Sequence, residues 1–195
     1  MRSLGVGVMT IVMTLLGTAA WGQEPTCDQC PGYYVPNAEI DAYIKRAMAN
    51  NIIDQQVRAV NVGKSNVDIG VIYRGKLAKP GDVAEHDFVS EVYHVIEGTA
   101  TLVLGPELVG KVRRPAEAAT VRLLNGPGNS AKSIRNGIAY ELKPGDVVII
   151  PAGTGHQFTR IDDHITYLMV RIDPDKVTPH KSEADSREDL KTTGR

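Results

Sequence analysis

The chain has little aromatic character and no excess of charge. Its 195 residues include one Trp and two Phe, and 22 Lys and Arg face 23 Asp and Glu for a formal net charge of −1. The basic residues are scattered, with no cationic stripe and no aromatic ladder, which excludes nucleic acid as a partner. Beyond an apolar stretch at residues 4–16, no run is long enough to span a bilayer. No Gly-x-Ser-x-Gly elbow and no phosphate-binding loop is present, and no serine has a His and acid context. Internal repeats and heptads are absent. Only two cysteines occur, Cys27 and Cys30. No second pair completes a zinc site, and no His follows for haem attachment. In an oxidising compartment the pair reads as a small disulfide loop in a Pro-rich tail, with a redox role as the alternative.

What is present begins with Arg2, the apolar residues 4–16, and the small residues Gly17, Thr18, Ala19, Ala20 and Gly22. This is the layout of a secretory signal peptide, cleaved after Ala20 or Gly22; an uncleaved anchor is the other reading. A periplasmic or secreted protein is expected. The division that follows is a signal peptide over 1–22, a tail and helix over 23–54, one β-domain over 55–173, and a polar tail over 174–195. That last tail is expected to be disordered for want of apolar residues.

Asn37 is placed to cap a helix over 38–49, with Ile40, Tyr43, Ile44 and Met48 on one face. From Val57 the texture changes to short β-rich runs broken by Gly, Pro, Asn and Asp. Strands are expected at 56–62, 67–74, 91–96, 99–104, 119–124, 139–142, 147–150, 156–160 and 165–171, the pattern of a sandwich or barrel. Segments 105–118 and 125–138 read as loops long enough to serve as rims or lids.

The most informative stretch is residues 145–156. Gly145-Asp146 signals a turn, Val147, Val148, Ile149 and Ile150 suit a short buried strand, and Pro151, Gly153 and Gly155 force a bend ending on His156. Such a corner aims one imidazole inward, and imidazole is the commonest metal-ligating side chain. Upstream, a strand–turn–strand reading puts His86 near the end of one strand and Glu91 at the start of the next. Period-two alternation then sends Glu91, Tyr93, Val95 and Glu97 inward and His94 outward. Gly98 permits a tight turn into the next strand.

Together these segments resemble the cupin superfamily. Gly145, Pro151, Gly153 and His156 match its second motif at the expected spacing. His86, Glu91 and Gly98 match the later part of its first, and the likeness extends over about residues 55–172. The segment holding Leu123, Leu124, Asn125, Gly126, Pro127 and Gly128 looks like that of small secreted or periplasmic bacterial cupins. The resemblance implies an all-β fold, a cupin-type double-stranded β-helix (jelly-roll barrel) preceded by a short helix. Two positions depart from it. Ala84 stands where the motif has its first His, and Arg160 where the second motif has Asn.

What the resemblance then leaves is a metal set of His86, Glu91 and His156. Two imidazoles and a carboxylate suit non-haem Fe(II) first, with Mn, Ni, Cu or Zn compatible. Tyr73 and Asp82 are read as substitute ligands or pocket wall, and Tyr93 and Phe158 as pocket lining or core. Arg160 offers an anion-binding group if inward and a surface charge if outward. His164 is assigned to a surface turn and His180 to the tail. The function expected is metal-dependent chemistry on a small organic substrate, dioxygenase-like or otherwise. The alternatives are a barrel that binds a small ligand without catalysis, or one serving assembly alone. Cupins commonly pair through edge strands, so a homodimer is expected.

Overall fold

The computed structural model describes residues 26, 27 and 30–191. The expected signal peptide lies outside the described residues. Cys27 and Cys30 are joined in a disulfide, their Cα atoms 5.6 Å apart. The small loop rests on the first hairpin turn, where a Cβ on Gly63 (φ +95°) would fall 2.3 Å from the Thr26 carbonyl oxygen.

Helix α1 spans Asn37–Asn50. Pro36 occupies its cap position and no side chain caps it, so Asn37 does not play the expected role; its amide donates to Asp41 instead (2.9 Å). Strands β1 (Asp54–Asn61), β2 (Asn66–Gly75), β3 (Val83–His86), β4 (Ser90–Gly98) and β5 (Ala100–Gly105) follow. Next come β6 (Glu107–Val109), β7 (Val112–Arg113), a π-helical turn (Val121–Asn125), β8 (Gly128–Ala131), β9 (Ser133–Arg135) and β10 (Ile138–Leu142). The chain continues through β11 (Val147–Ile150), β12 (Gly155–Arg160), β13 (His164–Asp173) and helix α2 (Glu183–Lys191).

The strands form a five-stranded sheet, β1-β2-β13-β4-β11, and a six-stranded sheet, β10-β5-β12-β3-β8-β7, with a small β6-β9 ribbon. All pairings are antiparallel. Neighbours distant in sequence, such as β4 beside β11 and β5 beside β12, are those of the expected jelly roll. Inward residues of both sheets make the core: Ile72, Tyr93, Val95, Leu102, Phe158, Ile165, Tyr167 and Met169 among them. Helix α1 closes the outer face of the five-stranded sheet, packing Tyr43 against Val57 and Val71, with Ile40, Ile44 and Leu190 alongside.

Three expectations are corrected. Residues 119–124 are not a strand. The Val121 and Arg122 amides both turn back to the Ala118 carbonyl (2.9 and 3.0 Å), and Gly126 (φ +62°) ends the turn, so the β-branched run has no partner strand. The loops at 105–118 and 125–138 contain paired strands β6 to β9, each too short for its alternation to register in the sequence. The tail after 174 is built into the fold. Asp173, fully buried, accepts bonds from the Val177 amide and from the Thr178 amide and hydroxyl (3.0, 2.8 and 2.7 Å). Lys181 and Ala59 exchange two backbone bonds of 3.0 Å. Ser182 and Asp185 cap α2 reciprocally, and buried Ser186 donates to the Val57 carbonyl. Hydrogen bonding orders this segment where apolar burial does not, which is why composition misses it.

Candidate metal centre

Three elements deliver the site. His86 ends β3, Glu91 opens β4, and His156 opens β12. The corner before His156 is tied to both of the others. Gly153, at φ +79°, donates its amide to the His86 carbonyl (2.7 Å), and the Ala152 amide donates to Ser90 Oγ (3.0 Å). The bend written into Pro151-Ala152-Gly153 is therefore fastened to the strand ends that carry the other two side chains. Gly155 has no room for a side chain, since a Cβ there would stand 2.3 Å from Leu108 Cδ2.

The Glu91 carboxylate lies between the imidazoles. Its Oε1 is 3.3 Å from His86 Nε2, and its Oε2 is 3.5 Å from His156 Nε2. One donor atom from each residue lies within 4.8 Å of the others, and all three residues are buried. Tyr93 donates its hydroxyl to Glu91 Oε2 (2.7 Å), and Arg171 Nε stands 3.6 Å from Oε1. Burial alone would raise the Glu91 pKa. The contacts with His86, His156 and Arg171 outweigh it and hold the carboxyl well below its usual range. Burial, more than the opposing Glu91 charge can offset, lowers His156 to about 4. Burial and then Glu91 push the Tyr93 phenol up, so it remains a donor.

These states suit a divalent ion: an ionised carboxylate and a neutral imidazole. His156 Nδ1 lies 3.3 Å from the Thr154 carbonyl, which can only accept, so that nitrogen carries the proton and Nε2 keeps its lone pair for the site. His86 is set the other way. Arg114 Nη2, an obligate donor, is 3.1 Å from His86 Nδ1 and also donates to the Glu85 carbonyl. That assigns the His86 proton to Nε2, toward Glu91. The cluster could hold a metal once Arg114 withdraws and the His86 proton moves to Nδ1, which leaves the Nε2 lone pair facing the site. Gly128 makes room for Arg114, because a Cβ there would meet its guanidinium.

The remaining expected site residues divide. Tyr93 and Phe158 are buried beside the centre. The Tyr93 ring meets His156 edge-on at 6.4 Å, and Phe158 packs on Tyr167. His94 is exposed, as alternation requires. Tyr73 does not line the pocket: it stacks on His164 at 6.0 Å, on the opposite parity to inward Ile72 and Arg74. Asp82 is exposed just before β3. Arg160 is outward, 59 % exposed and paired with Glu141 at 2.7 Å, because a bulge between Phe158 and Arg160 reverses the alternation. A bulge in β4 opposite Thr166/Tyr167 likewise turns Glu97 out to solvent. His180 is not in a free tail; its Nε2 lies 3.2 Å from Asn66 Oδ1.

Sequence reasoning missed Arg171, Asp54 and Arg114 as site neighbours. The Arg171 guanidinium is wholly buried and pairs with Asp54 as well as Glu91. Alternation with Tyr167 and Met169 along β13 is the signal that puts it inside. Asp54 and Arg114 sit at an element start and in an irregular segment, where no periodicity speaks.

The fold and the site define a cupin-type barrel that brings two imidazoles and a carboxylate to one point. A family model for the AraC-like ligand-binding domain matches residues 125–188. No curated protein matches the chain. Among solved structures, a Bacillus halodurans protein is similar at 17 % identity and a TM-score of 0.44, over 83 % of this chain and 98 % of its own. The EutQ protein of Clostridium difficile is similar at 14 % identity and a TM-score of 0.36, over 65 % and 74 %. A cupin protein from Bacteroides fragilis gives 12 % and 0.33, over 59 % and 72 %.

Proposed function

We propose that the protein is a metal-binding cupin that holds a divalent transition ion, Fe(II) first, on His86, Glu91 and His156. On this reading it acts on a small organic molecule in the periplasm or outside the cell. The observation that carries the proposal is the Glu91 carboxylate set between two imidazole Nε2 atoms at 3.3 and 3.5 Å. The ion would supply Lewis acidity or dioxygen activation. Tyr93 orients the Glu91 carboxylate, Arg171 balances its charge, and the surrounding aromatic core excludes water.

The test is metal content and melting temperature of protein purified without a His tag, then stripped and titrated anaerobically with Fe(II), Mn and Zn. About one ion per chain is expected, lost in Glu91→Gln and in His156→Gln. Arg114→Met, which frees His86 Nδ1, is expected to bind metal roughly tenfold more tightly, the scale of a changed outer-shell contact. A folded protein that takes up none of these ions and shows no shift in melting temperature would sink the proposal.

The match to a family described as ligand-binding favours a second reading, a barrel that binds a small molecule without catalysis. It predicts stabilisation of metal-free protein by an organic ligand with no turnover. A homodimer through edge strand β11 is also proposed. Val147 and Ile149 there are 61 % and 67 % exposed, a cost that pairing with a second copy removes. Light scattering is expected to give twice the chain mass, falling to one in Val147→Lys/Ile149→Lys.

A further inference from the structure

Arg114 carries a charge that nothing touching it answers. Its Nη2 donates to two neutral acceptors, the Glu85 carbonyl and His86 Nδ1, and its Nε is buried without a partner. Among the described residues no carboxylate forms an ion pair with its guanidinium. The carboxylates that act on it from further off are Glu85, Glu91 and Asp87. Each of them is already engaged. Glu85 accepts from the Asn129 amide and stands 4.0 Å from Lys111. Asp87 is paired with Arg113 at 2.6 Å. Glu91 is shared by His86, His156, Tyr93 and Arg171. Burial, the largest influence on Arg114, works against its charge and lowers its pKa. A cation taken partly out of water without an anion in contact is costly to keep.

The group can be reached from outside. Arg114 is part-buried, and the residues on either side, 111–113 and 115–117, are exposed. Its Nη1 is neither hydrogen-bonded nor among the buried unmatched atoms, so that nitrogen meets solvent. The Arg114 amide donates to the Gly128 carbonyl (3.1 Å), which fixes the backbone and leaves the side chain free to swing. One side of the guanidinium therefore faces solvent and the other a side chain of the metal centre. Lys111 and Arg113 beside it are turned to Glu85 and Asp87. A single guanidinium is offered, which suits a monoanion better than a phosphate.

We propose that Arg114 is the anion anchor of this centre and that its ligand is the carboxylate of a small monocarboxylic acid. A carboxylate matches the planar edge of a guanidinium with two parallel bonds, and it replaces two neutral acceptors with a charged one. The inference rests on the metal reading in one respect. Drawing Arg114 off His86 Nδ1 lets the imidazole hold its proton there and turn the Nε2 lone pair toward the site. Acid and metal ion then bind cooperatively, each raising the affinity of the other by the same factor. The substrate class of the centre is thereby narrowed to organic acids, at the expense of neutral alcohols, ketones and sugars.

The test is calorimetry on the full chain, stripped of metal, with benzoate, benzamide and sulfate as probes. Benzoate is expected to bind with Kd below about 5 mM, and benzamide, of the same shape without the charge, at least about tenfold more weakly. Arg114→Met is expected to abolish benzoate binding, and Arg114→Lys to weaken it about tenfold for want of the planar fork. Arg113→Met, on the neighbouring exposed guanidinium, should leave it within about twofold. Zinc affinity of the parent should rise at least about fivefold in saturating benzoate, with no such rise in Arg114→Met. Absence of benzoate binding to the metal-free parent, sulfate or benzamide bound as tightly, full binding by Arg114→Met, or a zinc affinity indifferent to benzoate would each overturn the proposal. Zinc uptake without benzoate binding defeats this inference alone; benzoate binding through Arg114 without zinc uptake supports the anchor and defeats the metal reading instead.

Discussion

Replacing Arg171 by methionine is expected to destabilise the protein by about 3–5 kcal/mol, the cost of stripping one partner from a buried ion pair. Arg171 has no exposed surface, and its guanidinium joins Asp54 on β1 to Glu91 on β4 across the inner face of the sheet. Gly70 on the intervening strand leaves it space, with a Cβ there falling 3.3 Å from Arg171 Nη1. Without the guanidinium, two carboxylates remain buried and uncompensated. Lysine keeps the charge but cannot reach both with a planar fork, so Arg171→Lys should recover only part of the loss. Adding Asp54→Leu to Arg171→Met should recover part by removing one stranded carboxylate. Urea unfolding of metal-stripped protein measures all three. A cost below about 1 kcal/mol for Arg171→Met would mean that the network carries no such charge balance. If the centre binds a divalent ion, that ion should reduce the penalty, because it supplies Glu91 with the lost positive charge.

The second large effect concerns acid. His156 has its pKa lowered by burial to about 4 from 6.5. As pH falls below 6.5 the unfolded chain takes up a proton there and the native chain does not, so stability is lost with falling pH. Between pH 7 and 5 the loss from this group is about 2 kcal/mol. Asp68 works the other way over the same interval. Burial raises it to about 6 from 3.8, so below pH 6 the native chain keeps a proton that the unfolded chain gives up, and stability rises as pH falls. The two slopes oppose, and the parent protein should be nearly level across this range. Asp68→Asn removes one of them. In metal-free protein this variant is expected to be more stable than the parent at pH 7 and to lose about 2 kcal/mol on going to pH 5. Denaturant unfolding at both pH values measures this, and a variant as level as its parent would contradict the assignment.

The parts legible in the sequence share a cause: each is fixed by chain geometry over a few residues. Gly145, Pro151 and Gly153 specify a bend, and the bend is present with Gly145 and Gly153 at positive φ. Alternation along β4 puts Glu91, Tyr93 and Val95 inside and His94 outside. The same rule fails where a bulge inserts a residue, at Glu97 and Arg160, because nothing local announces which residue the partner strand skips. What was illegible depends on partners far away in the chain. Arg171 is buried because Asp54 and Glu91 are there, 117 and 80 positions off in sequence. The segment 174–191 is ordered by bonds to Asn66, Ala59 and Val57, none of which its composition reveals. The His86 proton is assigned by Arg114, which arrives from an irregular segment.

The two backbone bonds between Lys181 and Ala59 lie on β1, an outer strand of the five-stranded sheet. An outer strand is a template onto which another chain can add, and addition at both sides of a sheet propagates without end. With β1 covered by the chain's own C-terminal segment, that sheet offers its other margin, β11, for association. Copies that meet there consume the available margin on both partners. If copies pair there as proposed, growth of that sheet from chain to chain stops at two, and a segment that looks expendable by composition is what keeps the second margin closed.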